Sequence, residues 1–225
     1  MKSLAPTSGG PWVSPKRIHA LRAYLETNYE RYHRVDLVDG DPLCIPLEWP
    51  EGVEREIAGL VAAWLSSGRA SSIVESSRRL LGLISGDGRE ALAASIKPER
   101  ADALENKLKG FRYRWIGGDI VCSALLALGR EIERTGSPVK SIVQYDDKGY
   151  ETLLPAVEVF AQKLESTAEL TLLRGGGGKG GLRSLRWLMA NPQRGGVAKR
   201  WMMWLRWFVR SDELDPGGYA HLGPD

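Results

Sequence analysis

Residues 194–210 read RGGVAKRWMMWLRWFVR, a glycine-rich turn that runs into a short helix. At about 100° per residue, Lys199, Met203, Arg206 and Arg210 fall on one line of that helix, while Trp201, Trp204, Leu205 and Phe208 fall on the opposite side. One side is cationic and the other must be buried, so the stretch calls for helices packed on helices. Trp207 sits on the helix flank beside Arg200, and partial exposure is expected for it.

The basic character extends upstream. Between residues 170 and 210 the chain carries Arg174, Lys179, Arg183, Arg186, Arg194, Lys199, Arg200, Arg206 and Arg210, and no Asp or Glu. These nine positive charges, set against +3 for the whole chain, leave −6 for the remainder. Such segregation points to an anionic partner, with nucleic-acid phosphate the first candidate. A solvated basic face beside an ordinary core stripe is the other reading that charge alone leaves open.

Composition bounds the class. A chain of 225 residues, 43% hydrophobic and 26% charged, suits one globular domain with a sizeable core. No run of eighteen apolar residues and no secretory signal pattern occurs, so no membrane partner and a cytoplasmic location are expected. Cys44 and Cys122 lie far apart, and His19, His33 and His221 are scattered. That spacing offers no zinc, iron-sulfur or histidine-based site, and no cofactor or metal is expected.

In chain order, residues 1–15 read as a flexible tail and residues 16–225 as one α-helical domain. A first helix places Ile18, Leu21, Leu25 and Tyr29 on one face and gives way to a proline-bearing loop over 36–52. The segment VEREIAGLVAAWLSSGR (53–69) is the best helix, with Ile57, Leu60, Val61, Trp64 and Leu65 at helical spacing, acids in its first turn, and Gly68 as its stop. Further stripes run through Ile73, Leu80 and Ile84; Ala101, Leu104, Leu108 and Phe111; Val121, Leu125, Leu128 and Ile132; and Leu153, Val157, Phe160 and Leu164. Turn signals at 86–88, 98, 117–118, 136–138 and 146–149 separate them. No alternating strand pattern of useful length competes, so the expected fold class is all-α, a compact multi-helix domain.

The glycine tract GGGGKGG (175–181) fails as a phosphate loop. Lys179 is followed by Gly180 rather than Ser or Thr, and no strand precedes it, so no nucleotide cofactor is expected. The stretch 174–181 reads instead as a flexible loop, ahead of a hairpin and basic helix over 182–211.

Four blocks, EREIAGLVAAWLSSGR (54–69), FRYRW (111–115), GSP (136–138) and above all AKRWMMWLRWFVRSDELDPG (198–217), together resemble a poorly characterised bacterial family of the helix-hairpin-helix (HhH-GPD) DNA glycosylase superfamily. That resemblance implies a DNA-glycosylase-type helical fold, a helix-hairpin-helix near the C-terminus that grips DNA backbone, and a base turned out of duplex DNA, damaged duplex included. The hairpin residues matching the grip are Arg194, Gly195, Gly196 and Val197, with Arg200, Arg206 and Arg210 behind them. Glycines let backbone N–H groups approach a phosphate, and a helix N-terminus favours negative charge. Lys199 occupies the place of the lysine that attacks the sugar C1′ in lysine-using glycosylase/lyases; an amine can give up its proton, which a guanidinium cannot. Simple phosphate contact is the alternative role for Lys199.

The superfamily also uses an aspartate shortly after this helix, and the resembled family carries it in a Pro-Leu-Asp-Thr-His segment. Residues 221–225 read HLGPD, ahead of where that segment is expected, and Asp212 and Asp215 come too early to replace it. The chain therefore reads as C-terminally truncated, with little or no base-excision activity expected. FRYRW offers Arg112, Tyr113, Arg114 and Trp115 as a base pocket; the competing reading is a helix end with Phe111 and Trp115 packed inward and the arginines solvated. A non-catalytic helical nucleic-acid-binding or adaptor protein is the alternative function.

Overall fold

A computed structural model describes residues 14–86, 92–146, 152–195 and 198–219. The chain divides into two compact units between Leu37 and Val38. In the first, α1 (Pro15–Tyr32) starts from Ser14, whose hydroxyl accepts the N–H of Arg17, with Pro15 in the first turn where its missing N–H removes no helical bond. Its stripe of Ile18, Leu21, Leu25 and Tyr29 stands about half exposed.

The second unit is helical apart from one short hairpin, as the stripes predicted. Its most enclosed element is α3 (Val53–Leu65), in which every residue from Glu56 to Leu65 is buried. Nine apolar residues in succession, Ile57 to Leu65, give it no polar face, and acids confined to the first turn suit the helix dipole. Around it lie α2 (Cys44–Leu47), within the stretch expected as loop, and α4 (Ala70–Ser85), which buries Ile73, Leu80 and Ile84. Next come α5 (Leu92–Ser95), α6 (Ala101–Leu108) and α7 (Gly118–Thr135). Close approach here depends on glycine: a Cβ at Gly129 would stand 2.0 Å from the Ile96 carbonyl oxygen.

The GSP signal is the start of α8 (Pro138–Tyr145), where the Ser137 side chain accepts the N–H of Lys140. The long α9 (Leu154–Arg174) packs on α7, α8 and α10 (Lys179–Met189). Only Gly175 to Gly178 separate α9 from α10, so the glycine stretch is shorter than the loop expected and its last three residues are helical. The turn signals at 86–88 and 146–149 run into residues outside those described.

The last helix, α11 (Lys199–Val209), buries Trp201, Trp204, Leu205, Trp207 and Phe208. Glu56 joins three elements to it. Its carbonyl accepts the Trp204 indole N–H at 3.1 Å, one carboxyl oxygen accepts the Val139 N–H at 2.8 Å, and the other accepts the Tyr219 hydroxyl at 2.7 Å. Burial raises this carboxyl above the usual carboxylate range, while the Val139 N–H, the Tyr219 and Ser137 hydroxyls and Lys140 oppose the shift. Burial likewise pushes the Tyr219 phenol up to about 12.

Candidate nucleic-acid interface

The connection between α10 and α11 is short, and its first part, Ala190 to Arg194, is tied down. α10 stops at Ala190, a left-handed residue with φ 47°, and Asn191 caps the 3-10 turn Pro192–Arg194 by accepting the Gln193 N–H at 3.0 Å. The Asn191 amide also donates to Gln162 of α9 at 2.8 Å. Gly195 follows with φ 79°, a conformation that glycine adopts without Cβ strain. Gly196 and Val197, both expected in the grip, lie outside the described residues.

α11 then starts at Lys199 with no side-chain cap on Ala198 and no acidic residue in its first turn. The predicted apolar side is buried: Trp201 donates its indole N–H to the Met189 carbonyl at 2.9 Å, and Trp204 is edge-on to Trp201. A Cβ at Gly59 would meet the Phe208 ring at 3.0 Å, so the glycine sets how closely α3 and α11 approach. The expectation for Trp207 is corrected: it is 1% exposed. The following segment folds back on the helix, with the Gly217 and Tyr219 N–H groups donating to the Trp207 and Phe208 carbonyls.

Arg200, expected among the DNA contacts, makes packing contacts within the protein. Its Nη1 donates to the carbonyls of Trp64, Trp187 and Leu188 at 3.3, 3.0 and 3.2 Å, which closes the C-terminal turns of α3 and α10 together. Its guanidinium lies over the Trp187 ring at 3.9 Å, and burial lowers its pKa from the usual arginine value.

The charge segregation of the sequence is partly undone in space. Arg186 pairs with Glu169 at 2.6 Å, and Arg194 pairs with the fully buried Glu165. Arg206 meets the buried Asp215 at 3.1 Å, and Arg210 meets Asp212 at 2.8 Å. Arg194 therefore pins the hairpin to α9, and the two aspartates after α11 hold Arg206 and Arg210. Arg174, Lys179, Arg183 and Lys199 are exposed and make no ion pair among the described residues.

Lys199 lines an open groove of about 910 Å³, together with Ser66 after α3, Thr152 and Glu158 of the α9 start, Ala190 of the hairpin, and Met202. Glu158 and Thr152 were not legible as site residues, because nothing in their local sequence marks them. The FRYRW block is elsewhere, and it is a hairpin rather than a helix end. β1 (Arg112–Tyr113) pairs antiparallel with β2 (Ile116–Gly117), and Arg114 takes the turn with φ 56°. Phe111 and Tyr113 are buried, the Tyr113 hydroxyl donates to the Ser67 carbonyl at 2.6 Å, and Trp115, 42% exposed, lies edge-on to Trp187 at 4.7 Å. Of the residues expected as a base pocket, Arg112, Tyr113 and Arg114 line one cavity, and Trp115 is not on its wall.

A family profile matches residues 41–225, which takes in the groove, the hairpin and α11. The chain belongs to the family described as protein of unknown function DUF2400. No curated protein and no solved structure matches it. For this DUF2400 chain the match gives membership without an activity, and the function rests on the chemistry of the interface. Among the described residues no helix is long and apolar enough to cross a membrane, and no group of three His, Cys, Asp or Glu is placed to hold a metal ion.

Proposed function

We propose that this chain binds duplex DNA through the α10–α11 hairpin and the groove beside Lys199, on a scaffold of the helix-hairpin-helix DNA glycosylase type suggested by blocks 54–69, 111–115, 136–138 and 198–217. The observation that carries the reading is Lys199: exposed, without an ion pair among the described residues, at the uncapped start of a helix, on the wall of an open groove of about 910 Å³. An uncapped helix start with a lysine in its first turn concentrates positive potential that an anion relieves. Lys199 is the position at which glycosylase/lyase chemistry would occur, its Nζ adding to C1′ as the base leaves. Asp212 and Asp215 are held by Arg210 and Arg206, so neither is offered to a developing sugar cation, and binding without efficient base excision is the expected behaviour.

Anisotropy of a labelled duplex tests binding, and borohydride trapping on abasic duplex tests the chemistry. Salt-dependent binding that weakens in Lys199→Ala supports the proposal, and a trapped adduct absent from that variant adds the lyase step. Binding without an adduct favours the non-catalytic alternative, and no duplex binding at low salt overturns both.

A further inference from the structure

A second, separate pocket of about 490 Å³ lies between the start of α4 and the β1–β2 hairpin, and Arg69, Arg79, Arg112 and Arg114 line it. Glu75 is the one carboxylate on its wall. Several arginines elsewhere are matched with acids, as in Arg78 with Glu48, Arg134 with Glu131 and Arg194 with Glu165. None of the four pocket arginines has an ion pair among the described residues. Four guanidinium groups gathered around one cavity repel one another unless an anion joins them.

The arginines are also preorganised. Arg79 donates to the Arg112 carbonyl at 2.6 Å and stacks over Phe111; Arg112 donates to the Arg114 carbonyl at 3.1 Å; Arg114 donates to the Ser67 carbonyl at 3.0 Å and lies over Trp115. Each bond fixes a planar fork while other N–H groups stay available, which is the geometry that suits a phosphate's oxygens. Gly68, with φ 121°, makes room for this, since a Cβ there would stand 2.9 Å from Arg114 Nη1. The 16-residue α4 adds its own start: Arg69 precedes it with no side-chain cap, and its first turn holds no acid.

We infer that this pocket is a phosphate-binding site, and that its ligand is a phosphodiester of the strand held at Lys199. The phosphate chemistry stands on the pocket, whereas the strand as its source rests on the function proposed above. Continuity supports that source. Ser66 lines the Lys199 groove and Arg69 lines the pocket, a separation of at most about 10 Å of extended chain. Arg114 of the pocket wall lies over Trp115, Trp115 is edge-on to Trp187, and Arg200 of the groove wall lies over Trp187, so two rings in contact join the two walls.

Arg69→Ala/Arg112→Ala tests this, with Arg69→Glu as a second variant and Arg22→Ala, on α1, as control. Thermal melts in inorganic phosphate against chloride at equal ionic strength read the site without DNA. Duplex anisotropy against salt reads the strand, where each lost phosphate contact lowers the log-log slope by about 0.9. Phosphate stabilisation in the wild type and control, lost in both pocket variants, together with a slope lowered by one to two contacts, is the expected result. Phosphate stabilisation lost in the variants without any duplex binding keeps the site and removes only the strand. Unchanged melts and an unchanged slope in both variants, with duplex still bound, overturn the inference and leave the groove reading intact.

Discussion

Lys199 and Arg200 are adjacent cations to which the proposed function gives opposite roles, and their alanine variants separate those roles. In Arg200→Ala, three carbonyls at the ends of α3 and α10 lose their donor, and Trp187 loses the guanidinium above it. A hydrogen bond to a charged group contributes about 1.5–3 kcal/mol and a partly desolvated cation–π contact about 0.5–2. Because the three bonds share one nitrogen and water can reach part of the site, the combined loss is roughly 2–4 kcal/mol. At about 2–4 °C per kcal/mol for a unit of this size, Tm falls by roughly 5–15 °C. Arg200→Lys keeps a charge but not the planar fork, and its loss falls between wild type and alanine. Lys199→Ala removes an exposed cation from the positive end of a helix, so Tm holds or rises slightly, while the duplex-binding slope drops by about 0.9. Thermal melts and anisotropy on the same preparations provide both readings. An Arg200→Ala protein that melts like the wild type yet no longer binds duplex would refute the assignment.

Four further outcomes follow from the packing. Burial raises the Glu56 pKa in the folded protein, so its contribution to stability is present below the ordinary glutamate value of 4.5 and is lost as pH rises through the folded value; the Tm advantage of wild type over Glu56→Gln therefore grows on acidification from neutrality, and an advantage that grows with rising pH contradicts this. Gly129→Ala forces a methyl to within 2.0 Å of a backbone oxygen that cannot rotate away, and a loss of at least about 1–3 kcal/mol is expected in denaturant titration. Arg194→Ala leaves the buried Glu165 carboxylate without its cation, and a cost of about 3 kcal/mol accompanied by faster hydrogen exchange over 190–195 is expected. Burial pushes the Cys122 thiol up to about 12, so the native protein at pH 8 should leave it unalkylated by iodoacetamide until denaturant is added.

Local pattern was enough for the helices and for the buried side of α11, because their information lies in residues three and four apart. It was not enough for Trp207, which its helix wheel places on a flank and the tertiary fold buries to 1% exposure. The nine cations of 170–210 read as an uninterrupted basic region because Glu165 and Glu169 precede it and Asp212 and Asp215 follow it, and only folding returns those acids to Arg186, Arg194, Arg206 and Arg210. FRYRW escaped assignment since two residues per strand carry no measurable period, and the positive φ of Arg114 has no glycine to announce it. The arginine pocket gathers residues from 69 to 114, a constellation that no short motif encodes.

Hydrogen exchange with and without a saturating duplex tests most directly whether the hairpin face holds a strand. Slowed exchange over residues 190–195 and 198–202 at low salt, reversed as salt is raised, is the result expected. Duplex binding that leaves those amides unchanged and protects a different face would contradict it.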